Sequence, residues 1–382
     1  MSDAIEPFRL VVPESDLDDL RRRLAMTRWP EQEPVADRSQ GAPLDRVRAL
    51  CAYWRDGYDW RRCEAWLNGL GQHRTVLDGL GIHFLHVRSP EPDALPLIMT
   101  HGWPGSVVEF RKVIGPLTDP AAHGGDPRDA FHLVLPSLPG YGFSDKPTTT
   151  GWGVERIANA WTELMARLGY ARYAAQGGDW GSAVTLAMAA AAPPGLRGVH
   201  VNTLTLPPPP GAADDAAPDV QAARALAKRY AEEEIGYARQ QGTRPQTLGY
   251  GLSDSPAGQL AWIYEKLCAW TDSGGDAESV LGRDAILDDV MLYWLPNAGA
   301  SSARLYWESF GAAALTRDVA LPVGVSLFPS DITRAPRAWA ERRLQNIVHW
   351  GEPARGGHFA AFEQPALFVR EVRDGLRTLR RN

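Results

Sequence analysis

The sequence of 382 residues predicts an α/β fold, a mostly parallel sheet flanked by helices, with a helical lid and an N-terminal helical extension. Three observations predict it. Short apolar runs alternate with helical patterns from residue 73 onward, as strands linked by crossover helices do. The stretch 206–316 is helical and aromatic-rich and has no strand pattern. The composition, 44% hydrophobic and 23% charged, is that of an average globular protein and excludes disorder, collagen and a coiled coil. A net charge of −6 gives no basic surplus for nucleic acid or an anionic membrane.

Residues 1–72 read as helical, a layer packed on the core. Ser15-Asp16-Leu17 opens a helix with Leu17, Leu20 and Leu24 at helical spacing, which Pro30 stops. A second pattern runs from Leu44 to Trp54 and a third from Arg61 to Leu67. At His73 the period changes, and Asp78-Gly79 between two apolar runs predicts a hairpin. Strand runs come next at Leu97–Met99, Phe131–Leu135, Tyr173–Ala175 and Val199–Val201, closing a first part of the core, 73–205. Pro207 to Pro210 then punctuates the chain, and 211–219 reads as a flexible loop. After the helical lid, 206–316, the core resumes over 317–382 with Val323–Phe328 and Ile347–His349.

The sharpest local signal is Gln176-Gly177-Gly178-Asp179-Trp180-Gly181-Ser182, which follows a strand and opens a helix. It matches the nucleophile elbow of the α/β-hydrolase fold, with Asp179 where serine usually stands. Taken alone, an ordinary turn with Asp179 as helix cap competes with this reading. His101-Gly102-Trp103-Pro104-Gly105 follows the Leu97–Met99 run, where that fold puts its oxyanion loop. The backbone N–H groups of Trp103 and Trp180 would then form the oxyanion hole. Asp331 comes just past the penultimate strand run and His358 past the last. The chain order nucleophile, acid, base is the one the fold requires. Asn202, at the alternative acid position, cannot orient a histidine as a carboxylate does. His83 and His86 lie on opposite faces of one strand and are poor metal ligands, and His349 reads as a core residue.

These motifs resemble those of the microsomal-type epoxide hydrolases. The resemblance also rests on Pro7-Phe8, Arg28-Trp29-Pro30, Leu138-Pro139-Gly140-Tyr141-Gly142-Phe143-Ser144, Ser253–Gly258, Met291–Trp294 and Gly356–Glu363, and it spans nearly the whole chain. It implies cofactor-independent and metal-independent hydrolysis of an epoxide to a vicinal diol, with the small epoxide and water as partners. The chemistry agrees. Serine attacking an sp³ carbon would leave an ether, whereas a carboxylate leaves an ester that water can cleave. An aspartate of ordinary pKa, near 3.9, is ionised at neutral pH and needs no base. His358 would therefore be free to activate the water, with Asp331 orienting it; microsomal members often carry glutamate at that acid position.

Opening an epoxide also needs a weak acid for the nascent alkoxide, and tyrosine suits neutral pH. The family uses two lid tyrosines, and the match of Glu234–Tyr237 and Ser302–Tyr306 implies Tyr237 and Tyr306. The residues by themselves leave Tyr250, Tyr264 and Tyr293 equally open. Trp103, Trp180, Trp294 and Phe359 are expected to line the substrate site. With Trp262, Trp270, Trp307 and Phe310 in the lid, they suggest a hydrophobic or aryl epoxide. Detoxification and a step in secondary metabolism, such as enediyne biosynthesis, both fit.

Two competitors stand. A haloalkane dehalogenase shares the Asp nucleophile and the histidine but has no use for lid tyrosines. A non-catalytic ligand-binding protein on the same fold would not need the His–Asp pair. Three cysteines (Cys51, Cys63, Cys268) form neither a C-x-x-C motif nor an even set, which predicts thiols in a reducing compartment. An acidic, proline-broken N-terminus is unlike a signal peptide or anchor. The expectation is a soluble, cytoplasmic protein without nucleic-acid or membrane partners, and a homodimer is compatible with it.

Overall fold

The computed structural model describes residues 4–211, 216–312 and 316–380. The chain opens with a two-residue strand, β1 (Glu6–Pro7), then α1 (Glu14–Ala25), α2 (Leu44–Asp56) and α3 (Trp60–Gly69). Each helix buries one stripe: Leu17, Leu20 and Leu24 on α1, and Val47, Leu50, Cys51 and Trp54 on α2. The strand departs from the all-helical expectation for this region. β1 adds antiparallel to the next strand through Glu6↔Arg74 and Pro7↔His73. Two residues, one of them a proline on an edge, carry no alternation that sequence could reveal.

The hairpin is formed by β2 (Gln72–Leu77) and β3 (Leu80–Val87). Its turn residues, Asp78 and Gly79, both have positive φ (46° and 79°), the backbone that matches the twist of a two-residue hairpin. Then come β4 (Leu95–Thr100), α4 (Arg111–Thr118), β5 (Phe131–Pro136), α5 (Val154–Arg167), β6 (Tyr173–Gly177), α6 (Trp180–Ala191) and β7 (Leu196–Val201). Between β7 and the next strand the described residues form only helices: α7 (Pro218–Arg229), α8 (Gly236–Thr243), α9 (Pro245–Asp254), α10 (Pro256–Trp270), α11 (Ala277–Leu281), α12 (Arg283–Trp294) and α13 (Gly299–Ser309). A π-helical turn, Tyr230–Glu234, separates α7 from α8. The loop expected over 211–219 lies partly outside the described residues. The chain ends with β8 (Val323–Ser326), α14 (Arg337–Ala340), β9 (Ile347–Gly351), α15 (Ala360–Glu363) and α16 (Pro365–Leu376).

One nine-stranded sheet runs in the order β1-β2-β3-β5-β4-β6-β7-β8-β9. The pairs up to β3–β5 are antiparallel and the rest parallel. Central strands covered on both faces must be apolar throughout, and β5 is buried at all six positions. From β4 the chain goes to β5 on one side and later to β6 on the other. Such a reversal opens a crevice at the carboxyl ends of the strands. Register fixes what meets there: Thr100 of β4 lies opposite Gly177 of β6, and Ser326 of β8 opposite Gly351 of β9. The segments leaving these strands therefore share one edge. No helix among the described residues is long and apolar enough to cross a membrane.

Candidate active site

Asp179 sits between β6 and α6 with φ 50° and ψ −128°. A positive φ costs a non-glycine residue about 1–3 kcal/mol and persists only where the surroundings impose it. Here they do. A side chain at Gly177 would overlap the backbone of Gly181 and Ser182, and one at Gly181 would overlap the Thr100 carbonyl. Both glycines are needed for α6 to pack this close to β4 and β6. Ser182 is spent structurally, since its hydroxyl donates to the Gly177 carbonyl at 2.7 Å.

The strained turn aims the Asp179 carboxylate at two partners. Trp103 N–H donates to its Oδ1 at 2.8 Å. Gly102 makes that approach feasible, because a Cβ there would overlap the carboxylate. The Trp180 N–H occupies the first position of α6, where no intrahelical acceptor exists; it makes no bond to Asp179 here. The other oxygen, Oδ2, is 3.2 Å from His358 Nε2.

His358 is buried and held on three sides. Its Nδ1 is 2.6 Å from Asp331 Oδ1, its backbone N–H donates to the Trp270 carbonyl at 2.9 Å, and the Trp270 ring packs edge-on at 5.2 Å. Asp331 also accepts from Thr203 Oγ1 at 3.0 Å and from the Ile332 N–H at 2.7 Å. Burial alone would lower the imidazole's pKa. The Asp331 charge and the hydrogen bonds to Asp179 and Asp331 outweigh it and raise the value to about 10. A base raised above its ordinary 6.5 stabilises the fold fully below that pH, and loses the contribution as pH climbs through the folded value. The urea unfolding free energy should therefore decline between about pH 6.5 and 10, and Asp331→Asn should shrink that decline relative to wild type.

Two phenols from the helical segment complete the site. Tyr237 (α8) and Tyr306 (α13) are buried, with their hydroxyls 3.5 Å apart. The Tyr237 ring stacks on Trp103 at 4.8 Å and the Tyr306 ring meets Trp180 edge-on at 4.9 Å. Burial and neighbouring acidic groups raise both phenols well above their ordinary value of 10, so both stay protonated. Three other tyrosines of the segment are elsewhere. Tyr250 is exposed, the Tyr264 hydroxyl donates to Glu278 at 3.1 Å, and the Tyr293 hydroxyl donates to the Gly105 carbonyl at 2.7 Å.

Two cavities meet at Asp179. One, of about 360 Å³, is lined by Asp179, Trp180, Tyr237 and Tyr306, and by Leu206, Phe310 and Trp339 among others. The second, about 20 Å³, also has Asp179 in its wall, together with Trp103, His358 and Phe359. Trp294 lines neither; it packs partly buried against the core. Trp262 donates to Gln241 and Trp307 is half exposed, so neither faces the site.

Some site residues carried no signal in the sequence. Tyr230 lines the larger cavity and its hydroxyl is 3.0 Å from that of Tyr237; the spacing of seven between them was the only available hint. Thr203 and Trp270 support the triad from β7's loop and from the end of α10, and Glu109 lines the smaller cavity. None of these has a distinguishing residue type.

Comparison with known proteins identifies this architecture. Residues 5–110 match the family model "Epoxide hydrolase N terminus" and residues 96–234 match "alpha/beta hydrolase fold". A Stigmatella aurantiaca protein, provisionally named as an epoxide hydrolase, is 56% identical over 98% of this chain and 86% of its own. Sus scrofa epoxide hydrolase 1 is 34% identical over 97% and 88%. Among solved structures, the juvenile hormone epoxide hydrolase of Bombyx mori superposes with a TM-score of 0.90 at 31% identity, covering 99% of this chain and 95% of that one. The Aspergillus niger epoxide hydrolase gives 0.87 at 31% identity, over 98% and 96%. The N-terminal region and the sheet-and-helix core thus sit on a shared plan, and the chain is a member of the microsomal-type epoxide hydrolases of the α/β-hydrolase fold.

Proposed function

We propose that the protein converts a hydrophobic or aryl epoxide to a vicinal diol through a covalent ester on Asp179. The observation that carries this reading is a carboxylate flanked by an N–H donor and an imidazole, at the wall of an apolar cavity that two protonated phenols share. One carboxylate oxygen attacks an oxirane carbon, and the C–O bond breaks toward Tyr237 and Tyr306, one of which protonates the alkoxide. The phenolate recovers its proton at the expense of the His358 imidazolium. Esterification removes one of the two negative charges and one hydrogen bond that hold the imidazole's pKa up, so His358 then becomes an effective base.

Water gives a proton to His358 and adds to the Asp179 carboxyl carbon. The Trp103 N–H, joined by that of Trp180, stabilises the oxyanion. Collapse expels the second diol oxygen, which takes the proton left on the carboxyl, and the carboxylate and imidazolium are restored. Asp331 orients the imidazole throughout. Residues 206–316 act as the cap that brings the phenols to the core, 73–205 and 317–382 form that core, and 1–72 packs on it. The buried thiols of Cys51, Cys63 and Cys268, unpaired in the structure, support a cytoplasmic setting.

A dehalogenase would share the aspartate and the histidine. The paired phenols favour epoxide opening, because a departing halide needs no proton. The test is a single turnover of styrene oxide in ¹⁸O water with enzyme in excess. The label should enter the peptide containing Asp179, while the diol's new oxygen comes unlabelled from the enzyme. Label in the first-turnover diol would mean direct attack by water and would overturn the mechanism.

A further inference from the structure

The smaller cavity has polar walls that ester formation leaves unused. It is bounded by Asp179, His358 and Trp103, and also by Asn202 and Glu109. Its volume, about 20 Å³, is the room a single water needs, and a buried water also requires two to four polar partners. Asp179 is the one residue that this cavity and the apolar cavity have in common in their walls. Epoxide and water can therefore reach the same residue from separate cavities without competing for space.

Glu109 is placed for this by local structure. It lies on the short 3₁₀ turn Val107–Phe110 that follows the oxyanion loop. Its carboxyl folds back over Gly105, where any side chain would overlap it, so the second glycine of His101-Gly102-Trp103-Pro104-Gly105 is its seat. The residue keeps some accessible surface, as a group lining an internal cavity does. Burial, and then the nearby Asp289 carboxyl, push its pKa well above the usual carboxylate range. A neutral carboxyl does not compete with His358 for a proton and adds no second anion beside Asp179. Asn202 is partly committed, since its Oδ1 accepts from Gln176 Nε2 at 2.8 Å.

Resting on the aspartyl-ester reading, we infer that the small cavity holds the hydrolytic water and that the Glu109 carbonyl oxygen accepts the hydrogen this water does not give to His358. Water so held has its lone pair directed at the Asp179 carboxyl carbon. The proton goes to His358 Nε2, the new C–O bond forms at the carboxyl carbon, and Glu109 is unchanged at the end. Glu109 takes no part in opening the epoxide.

The experiment separates the two half-reactions by rapid-quench intact mass spectrometry with styrene oxide, using Glu109→Gln, Glu109→Leu and Glu109→Ala. Glutamine keeps a carbonyl acceptor and should leave both steps within about threefold of wild type. Leucine and alanine should leave the rate of ester formation unchanged and slow ester hydrolysis by about 10- to 100-fold, a range typical of one lost positioning contact. The ester would then dominate the steady state. If leucine fails to fold, alanine carries the comparison. Equal loss in both half-reactions, unaltered hydrolysis in the alanine variant, or a glutamine variant as slow as alanine would each overturn the assignment. Absence of any ester in wild type would instead remove the reading on which it rests.

Discussion

His358→Gln should arrest the enzyme halfway, with styrene oxide adding once to Asp179 and remaining there as a stable adduct of the substrate's mass. Turnover should fall by on the order of 10³-fold or more, as it does when a triad base is removed. The physical basis is the division of labour at the carboxylate. Ester formation needs Asp179 and a proton donor to the alkoxide, and the phenols supply the latter, replenished from solvent when the imidazole is gone. Ester cleavage needs a base within reach of a water, and among the described residues only His358 makes that contact with the carboxylate. Glutamine preserves much of the bulk against Trp270 and can still donate toward Asp331, so the surrounding aromatic wall should stay intact. Intact-mass measurement after mixing with excess substrate reads the result, and a variant that is inactive yet never acquires the adduct would sink the scheme.

The second large effect belongs to the tyrosines. Tyr237→Phe and Tyr306→Phe should each slow ester formation by about 10²-fold or more. The double variant should be nearly inactive on epoxides. Phenylalanine keeps the ring that stacks on Trp103 or abuts Trp180, so the loss would be that of a proton donor rather than of packing. The two hydroxyls serve one alkoxide from neighbouring positions, so their effects should not simply multiply. Because Tyr230 is hydrogen-bonded to Tyr237, its own replacement by phenylalanine would disturb the pair without removing either donor. Pre-steady-state rates of adduct formation, measured in the His358→Gln background, isolate this step. A double variant that still forms the ester at the single-variant rate would show that the alkoxide takes its proton elsewhere.

Much of the site was legible because its parts are tied to short-range rules. A strand run, two glycines and an aspartate in Gly177–Gly181 specify a turn whatever else the chain does, since only glycine fits where α6 presses on β4 and β6. The order of Asp179, Asp331 and His358 could be read because each follows a recognisable apolar run. The tyrosines could not be chosen this way. Six tyrosines in a helical stretch look alike until the packing of α8 and α13 over Trp103 and Trp180 separates Tyr237 and Tyr306 from Tyr293, whose hydroxyl is bound to Gly105; the family resemblance pointed to the pair without a physical derivation. Trp294 was expected at the substrate because it is large and apolar, yet that describes a residue packed against the core equally well.

By itself, then, the sequence determined the alternation of strands and helices, the elbow, and the chain order of the candidate nucleophile, acid and base, each of which could be read from residues within a few positions of it. Tertiary structure decided which groups line which cavity, the phenols the larger and Glu109 and Asn202 the smaller, and it put the two-residue β1 on the sheet edge. Those placements depend on distances between segments tens to hundreds of residues apart. Burial and register set such distances, and no local pattern encodes them.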